Sequence, residues 1–186
     1  MNPDTQRELI PRSDTHCLIG ALESVKAKLL DAAGQWQLLD DTGHVPAAPS
    51  FAALFQHAAD AQTLAHDVVQ LTADFARTAH STNQAGSRVL THLARAATMS
   101  SYAAPHFADT AEAALALPRS PERQFLGNRM VIDHATARAY LRRTSESLGD
   151  AVDELNSHLE LHRFFPALSL RETPTPPPPR PSPRHR

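Results

Sequence analysis

Apolar side chains recur at intervals of three and four residues along most of the chain, the spacing that places them on one face of an α-helix. The first stripe follows Pro11 and predicts a helix that ends near Leu39. Its members are Leu18, Leu22, Val25, Leu29, Ala33 and Trp36. Residues 41–49 contain glycine and proline and are expected to form a loop. Ser50 is a suitable N-cap for a second helix, whose stripe is Leu54, Ala58, Ala61, Ala65, Val68, Leu71 and Phe75.

The second half of the chain predicts three further helices. Ser81 and Gln84 have the spacing of a capping box, ahead of a third stripe that contains Val89, Leu90, Leu93, Ala97 and Met99. Pro105 is expected to end or kink that helix, because proline has no amide hydrogen to donate. A short fourth helix is expected over about 106–117. The run Ser120-Pro121-Glu122 predicts the start of a last helix that continues to about Phe164, with Gly149 as its expected kink or break.

These elements predict an all-α fold, an antiparallel bundle of four to five helices with a long C-terminal helix and a disordered Pro-rich tail. Helices joined by short loops favour antiparallel neighbours. We expect a flexible N-terminus over 1–11, the helical bundle domain over 12–166, and a disordered Pro/Arg-rich tail over 167–186. Of the 15 prolines, seven lie within 174–183, where they prevent both helix and sheet.

Composition supports a helical protein and excludes several other classes. Aromatic residues make up only 5% of the chain, too few for an ordinary β-sandwich. The single cysteine excludes an internal disulfide framework. Apolar runs are too short for a membrane span, and the polar start lacks the apolar core of a signal peptide. We therefore expect a cytoplasmic protein, and the abundance of Ala, Arg and Pro is typical of a GC-rich bacterial genome.

Charge and missing motifs narrow the function further. The formal net charge is −2, and because the Arg-rich tail is basic, the bundle itself is mildly acidic. An acidic bundle is a poor match for a phosphate backbone, so nucleic acid is not an expected partner. The chain contains neither a Gly-rich phosphate loop nor a GxSxG elbow, which excludes the Rossmann, P-loop and ordinary hydrolase classes.

A candidate metal site lies near the end of the last predicted helix. His158 and His162 are four residues apart and share a helix face, and Glu154 lies one turn earlier on that face. Two imidazoles and a carboxylate are ligands for a divalent transition metal, with a water or another side chain in the fourth position. The bundle could bring His57, His66 or His92 alongside. One alternative hypothesis is therefore a metal-binding helical bundle that acts as an enzyme or sensor.

A second alternative rests on the segment Arg129-Met-Val-Ile-Asp-His134. Arg, four residues and then His resembles the catalytic motif of the HEPN ribonucleases, which are small helical bundles that dimerise. The resemblance covers six residues, and Met130 stands where that family usually has a polar residue. It implies that Arg129 stabilises the transition state, that His134 transfers a proton, and that two protomers bring these residues together.

The distribution of charge in the last helix favours a different function, contact between proteins. Basic residues dominate 121–143 and acidic residues dominate 144–163. Two copies packed antiparallel would match the basic half of each to the acidic half of the other, and an acidic face such as Asp60, Asp67 and Asp74 is an alternative partner for the basic half. Our primary hypothesis is therefore a non-enzymatic bundle without a cofactor that acts through protein–protein interaction with a partner or as a homodimer.

Overall fold

The computed structural model describes residues 10–164, with side chains through Leu161. Within this range the chain forms α1 (Arg12–Gln35), α2 (Phe51–Ala76), α3 (Gln84–Ser101), α4 (Ala103–Ala116) and α5 (Arg123–Phe164), with short 3₁₀ helices at Ala79–Thr82 and Leu117–Arg119. Residues 10–164 contain no strand, which confirms the predicted all-α class. The expected disorder of the tail concerns residues that lie outside this range.

The helices form an up-down-up-down bundle in which α3 and α4 together make the third arm. Helix α5 contacts α1, α3 and α4, and α2 packs against α3 and α4 and touches α1 at a few positions. Helix α5 runs antiparallel to the arm formed by α3 and α4. Three contacts show this, because residue numbers increase along the arm as those of their partners on α5 decrease: Arg88–Glu154, His92–Asp150 and His106–Asp133. The same holds between α1 and α5, at Ala33–Arg138 and Ile10–His158.

The core follows the predicted stripes closely. Helix α5 contains 42 residues and is about 63 Å long at 1.5 Å per residue. Its buried stripe runs along the whole bundle and includes Met130, Ala137, Leu141, Leu148, Val152 and Leu155. Met130 packs in a smaller cluster with Leu38, Leu54 and Leu117, whereas the others join the main core. Burying this stripe sets the position of α5 relative to α1, α3 and α4.

Proline explains why the third arm is divided in two. Pro105 is the third residue of α4, where a helix does not need its amide hydrogen. In a continuous helix, its ring would clash with the carbonyl of Ser101 four residues earlier. Helix α3 accordingly ends at Ser101, and α4 begins at Ala103. The prediction that Pro105 ends or kinks this helix is confirmed.

The structure differs from the predicted helix boundaries in three details. Helix α1 ends at Gln35 and not near Leu39, because Trp36 is extended and the chain turns to bury Leu38 in the smaller cluster. Helix α5 continues through Gly149 without a break. Its first helical residue is Arg123, since the Ser120 hydroxyl accepts a hydrogen bond from the Glu122 amide in the turn before it.

The cap of α3 also differs from the expected capping box. Asn83, and not Ser81, is the N-cap, and its side-chain oxygen accepts a hydrogen bond from the Gly86 amide at 2.7 Å. The Ser81 hydroxyl instead donates to the carbonyls of Ala76 and Thr78. Ser81 therefore closes the 3₁₀ turn between α2 and α3.

The main core includes a residue that precedes the predicted domain boundary at residue 12. Ile10, which was expected in the flexible N-terminus, is only 2% exposed and belongs to the main core. Its amide donates a hydrogen bond to the His158 ring 148 positions later in the chain. Ile10 thereby joins the start of α1 to the last turns of α5.

Substitution of two helical glycines, one crowded and one not, tests the helix packing described above. A Cβ at Gly149 would meet no atom within 4 Å, whereas a Cβ at Gly86 would overlap the His80 carbonyl. Gly149→Ala should raise the free energy of unfolding by about 0.5–1 kcal/mol, because alanine loses less backbone entropy in a helix. Gly86→Ala should lower it by about 1–3 kcal/mol through overpacking. Urea denaturation followed by circular dichroism measures both, and a loss of stability in Gly149→Ala would contradict the continuous α5.

Candidate functional site

Four rings form a layer across the interior of the bundle, one from each arm. They are Trp36 directly after α1, His57 on α2, Phe107 on α4 and His134 on α5. The His57 ring stacks on Trp36 with centroids 5.0 Å apart and an angle of 6°. Phe107 makes edge-to-face contacts with the other three rings, and the two imidazole centroids lie 5.9 Å apart. The layer therefore places two histidines together inside the bundle.

The surroundings lower the pKa of both histidines in this layer. His134 is 3% exposed, and burial lowers its pKa to about 4, assisted by the nearby charges of His57 and Arg138. Burial also lowers the pKa of His57, although the Asp60 carboxylate acts in the opposite direction. Within residues 10–161, neither His57 Nδ1 nor His134 Nε2 has a hydrogen-bond partner. Protonating this layer would place charge in an apolar interior.

The structure does not bring Arg129 and His134 together within one chain. His134 points into the ring layer, whereas Arg129 is exposed, and its Nε lies 3.5 Å from Asp133 Oδ2. Residues five positions apart on a helix leave it about 140° apart. The ribonuclease hypothesis therefore gains no support from the placement of its two proposed catalytic residues.

The predicted metal ligands on α5 have other contacts. The Nε2 atom of His158 accepts the hydrogen bond from the Ile10 amide at 2.9 Å, so this nitrogen is not available to an ion. The Oε1 atom of Glu154 accepts a hydrogen bond from the Arg88 guanidinium at 3.2 Å. The side chain of His162 lies outside the part of the chain that the structure describes. The site over Glu154, His158 and His162 consequently stays a prediction.

Another group of possible metal ligands lies between α4 and α5. His106 and Asp109 are three residues apart on α4, and Asp133 approaches them from α5. Each offers one ligand atom, and these atoms lie within 4.8 Å of one another. The sequence pattern did not indicate these three residues as metal ligands. The His106/Asp109 spacing was visible in the chain, but Asp133 joins them only through the antiparallel pairing of the two helices.

The outer face of α5 is the most distinctive surface of the bundle. We define this outer face as the exposed residues Phe125, Ile132, Ala139, Arg143, Glu146, Asp150 and Leu161. Phe125 and Ile132 are each 64% exposed, although both are large and apolar. The charges on this face retain the division seen in the sequence, with Arg143 before residue 144 and Glu146 and Asp150 after it. Apolar and charged groups thus share one face of the longest helix.

The comparisons with known proteins add no relative. No family model, curated protein or solved structure gives a significant match to the chain. Among residues 10–164, no helix combines the length and apolar content needed to cross a bilayer. The expected cytoplasmic location stays a prediction.

The buried histidine layer predicts that acid destabilises the bundle. The folded chain holds His134 neutral down to about pH 4, whereas an unperturbed imidazole has a pKa of 6.5. Between these values the unfolded state binds more protons, so stability is full above about pH 6.5 and falls as the pH falls toward 4. We expect a loss of about 2 kcal/mol from His134 between pH 7 and pH 5.

Substitution of His134 separates this contribution from other titrations. His134→Leu replaces the imidazole with an apolar side chain of similar size. It should remove most of the loss of stability between pH 7 and pH 5. His66→Asn, at an exposed position of α2, is the control and should behave as the wild type. The measurement is urea denaturation at both pH values. An equal loss in wild type and His134→Leu would rule out the buried imidazole as its cause.

Proposed function

We propose that the protein acts through protein–protein contact, by pairing with a second copy of itself along the outer face of α5. One observation carries the proposal: exposed apolar side chains and opposite charges occupy the two halves of a single helix face. Phe125 and Ile132 supply the exposed apolar area, and such area on a surface marks sites of contact. The division of charge selects an antiparallel copy of the same helix as the occupant.

One register satisfies both the charged and the apolar residues. A two-fold axis midway between Arg143 and Glu146 places Arg143 of each copy opposite Glu146 of the other. In the same register, Leu161 of one copy falls between Phe125 and Ile132 of the second copy. Leu161 is itself 46% exposed, so it has area to bury. In a two-fold interface every contact occurs twice, so a substitution changes the stability of the dimer at two places.

The two kinds of contact have different roles in this pairing. Exposed ion pairs contribute at most about 1 kcal/mol each and are screened by salt. Arg143 and Glu146 therefore determine the direction and register of the paired helices more than the affinity of the dimer. Phe125, Ile132 and Leu161 supply most of the affinity, because apolar area removed from water contributes about 25 cal/mol per Å².

Light scattering coupled to size-exclusion chromatography tests the pairing directly. We expect a mass of twice the 20.3 kDa chain, falling toward one chain on dilution. Ile132→Glu should shift the protein to a single chain, because it places a charge in the apolar half of the interface. The side chain is exposed in one chain, so the helix content should not change.

A charge exchange tests the register. Arg143→Glu should weaken the dimer, because it places two carboxylates opposite each other. Adding Glu146→Arg to the same chain should restore it, since the pair re-forms with its signs reversed. Arg95→Glu, on the exposed side of α3, is the control and should leave association unchanged. A single-chain mass at every concentration would refute the proposal, and so would a dimer that Ile132→Glu leaves intact.

A further inference from the structure

We propose that His106, Asp109 and Asp133 form a binding site for a divalent first-row transition-metal ion. The three side chains contribute one imidazole nitrogen and two carboxylate oxygens from two packed helices. Sites of this composition are built between the helices of bundles from inward-facing side chains. The site lies between α4 and α5 and does not depend on self-association through the outer face of α5.

The spacing of the ligand atoms suits an ion of this size. The His106 Nδ1 atom lies 3.5 Å from Asp133 Oδ1, and all three ligand atoms lie within 4.8 Å of one another. Around an ion with bonds of about 2.0–2.2 Å, neighbouring ligand atoms are about 3–3.5 Å apart. The separation of His106 Nδ1 and Asp133 Oδ1 already falls in this range, and rotation of the Asp109 side chain would bring its carboxylate to the ion.

Two atoms of the cluster lack the hydrogen bonds that buried polar atoms normally make. Within residues 10–161, four side-chain atoms are buried without a hydrogen-bond partner, and His106 Nδ1 and Asp133 Oδ2 are two of them. A buried polar atom that makes no hydrogen bond destabilises the fold. His106 Nδ1 and Asp133 Oδ1 are at ion-pair distance but do not have hydrogen-bond geometry. A metal ion would satisfy both orphaned atoms together.

The surroundings hold the ligands in place. The His106 ring is stacked on Tyr140 of α5, with centroids 5.7 Å apart and an angle of 13°. This stacking aims the ring nitrogen at the Asp133 carboxylate. The Asp133 side chain is 16% exposed and lies next to His134, which is anchored in the ring layer. Two of the three ligands are thus oriented by the packing of α4 against α5.

Arg129 is the one cation that competes for this site among the described residues. Its Nε lies 3.5 Å from Asp133 Oδ2, one of the two orphaned atoms. Because the guanidinium is half exposed, it can swing into solvent when an ion binds. Arg129 therefore lowers the affinity of the site without blocking it.

The ligand set also selects the class of ion. One imidazole favours zinc, iron and nickel over magnesium, which prefers oxygen ligands and water in an octahedron. Three protein ligands leave at least one position for water, as in sites that keep an open coordination position. We therefore expect Zn²⁺ to bind more tightly than Mn²⁺, following the general order of divalent affinities, and Mg²⁺ to bind weakly.

Isothermal titration of the full chain with Zn²⁺ at pH 7 tests the site, with circular dichroism to check that each variant folds. His106→Gln, Asp109→Asn and Asp133→Asn should each weaken the tightest binding event by at least ~10-fold. Arg129→Gln should strengthen it several-fold, because the competing cation is gone. His92→Gln is the matched control: His92 Nδ1 lies 3.6 Å from Asp150 across α3 and α5, but residues 10–161 offer that pair no third ligand.

The outcomes are distinct. Weakening in the three ligand variants, with His92→Gln unchanged and Arg129→Gln tighter, supports the site. Zn²⁺ binding that the three ligand variants leave intact would overturn it, because the chain has 11 histidines and the ion would then be held elsewhere. Tight binding lost in His92→Gln, or binding weakened in Arg129→Gln, would equally contradict the assignment.

Discussion

Burial of one long apolar stripe on α5 is the interaction on which the rest of this structure depends. The stripe packs against α1 on one side and against α3 and α4 on the other. Because its members run along the whole bundle, a shift of α5 by one turn would expose part of the core. The antiparallel register is therefore held by many buried side chains together. Every polar contact between these helices, from Arg88–Glu154 to His106–Asp133, follows from it.

The interior of the bundle contains polar groups, and removing them from water lowers the stability of the fold. His57 packs against Trp36 and Phe107, His134 packs against Phe107 and His57, and each imidazole has a nitrogen without a hydrogen-bond partner among residues 10–161. A leucine at either position would avoid that desolvation cost. The aromatic contacts offset part of it, since rings at these distances contribute about 0.5–1.5 kcal/mol per pair. The layer consequently combines tight packing with sensitivity to protons.

The two proposed roles use different parts of the same helix. The outer face of α5 is exposed, although its Asp150 also approaches His92 of α3, whereas Asp133 projects toward α4. Residues 132 and 133 are neighbours in sequence, yet successive residues of a helix leave it about 100° apart. Ile132 is thus exposed on the outer face, while Asp133 is partly buried beside His106. One long helix can therefore serve an association surface and an ion site independently.

The sequence by itself determined the helices and their buried faces, because both depend on neighbours three or four residues apart. The stripes on α1, α2 and α5 and the break before Pro105 are of this kind. The short α1 and the burial of Ile10 depended on contacts with other segments. The Asn83 cap of α3 is a local contact with Gly86, but the spacing of Ser81 and Gln84 predicted a different cap. Only the tertiary structure brought Asp133 to His106 and Asp109, and Trp36 to His57 and His134. Those groupings depend on which helix packs beside which and in what register, and periodicity within one helix does not specify either.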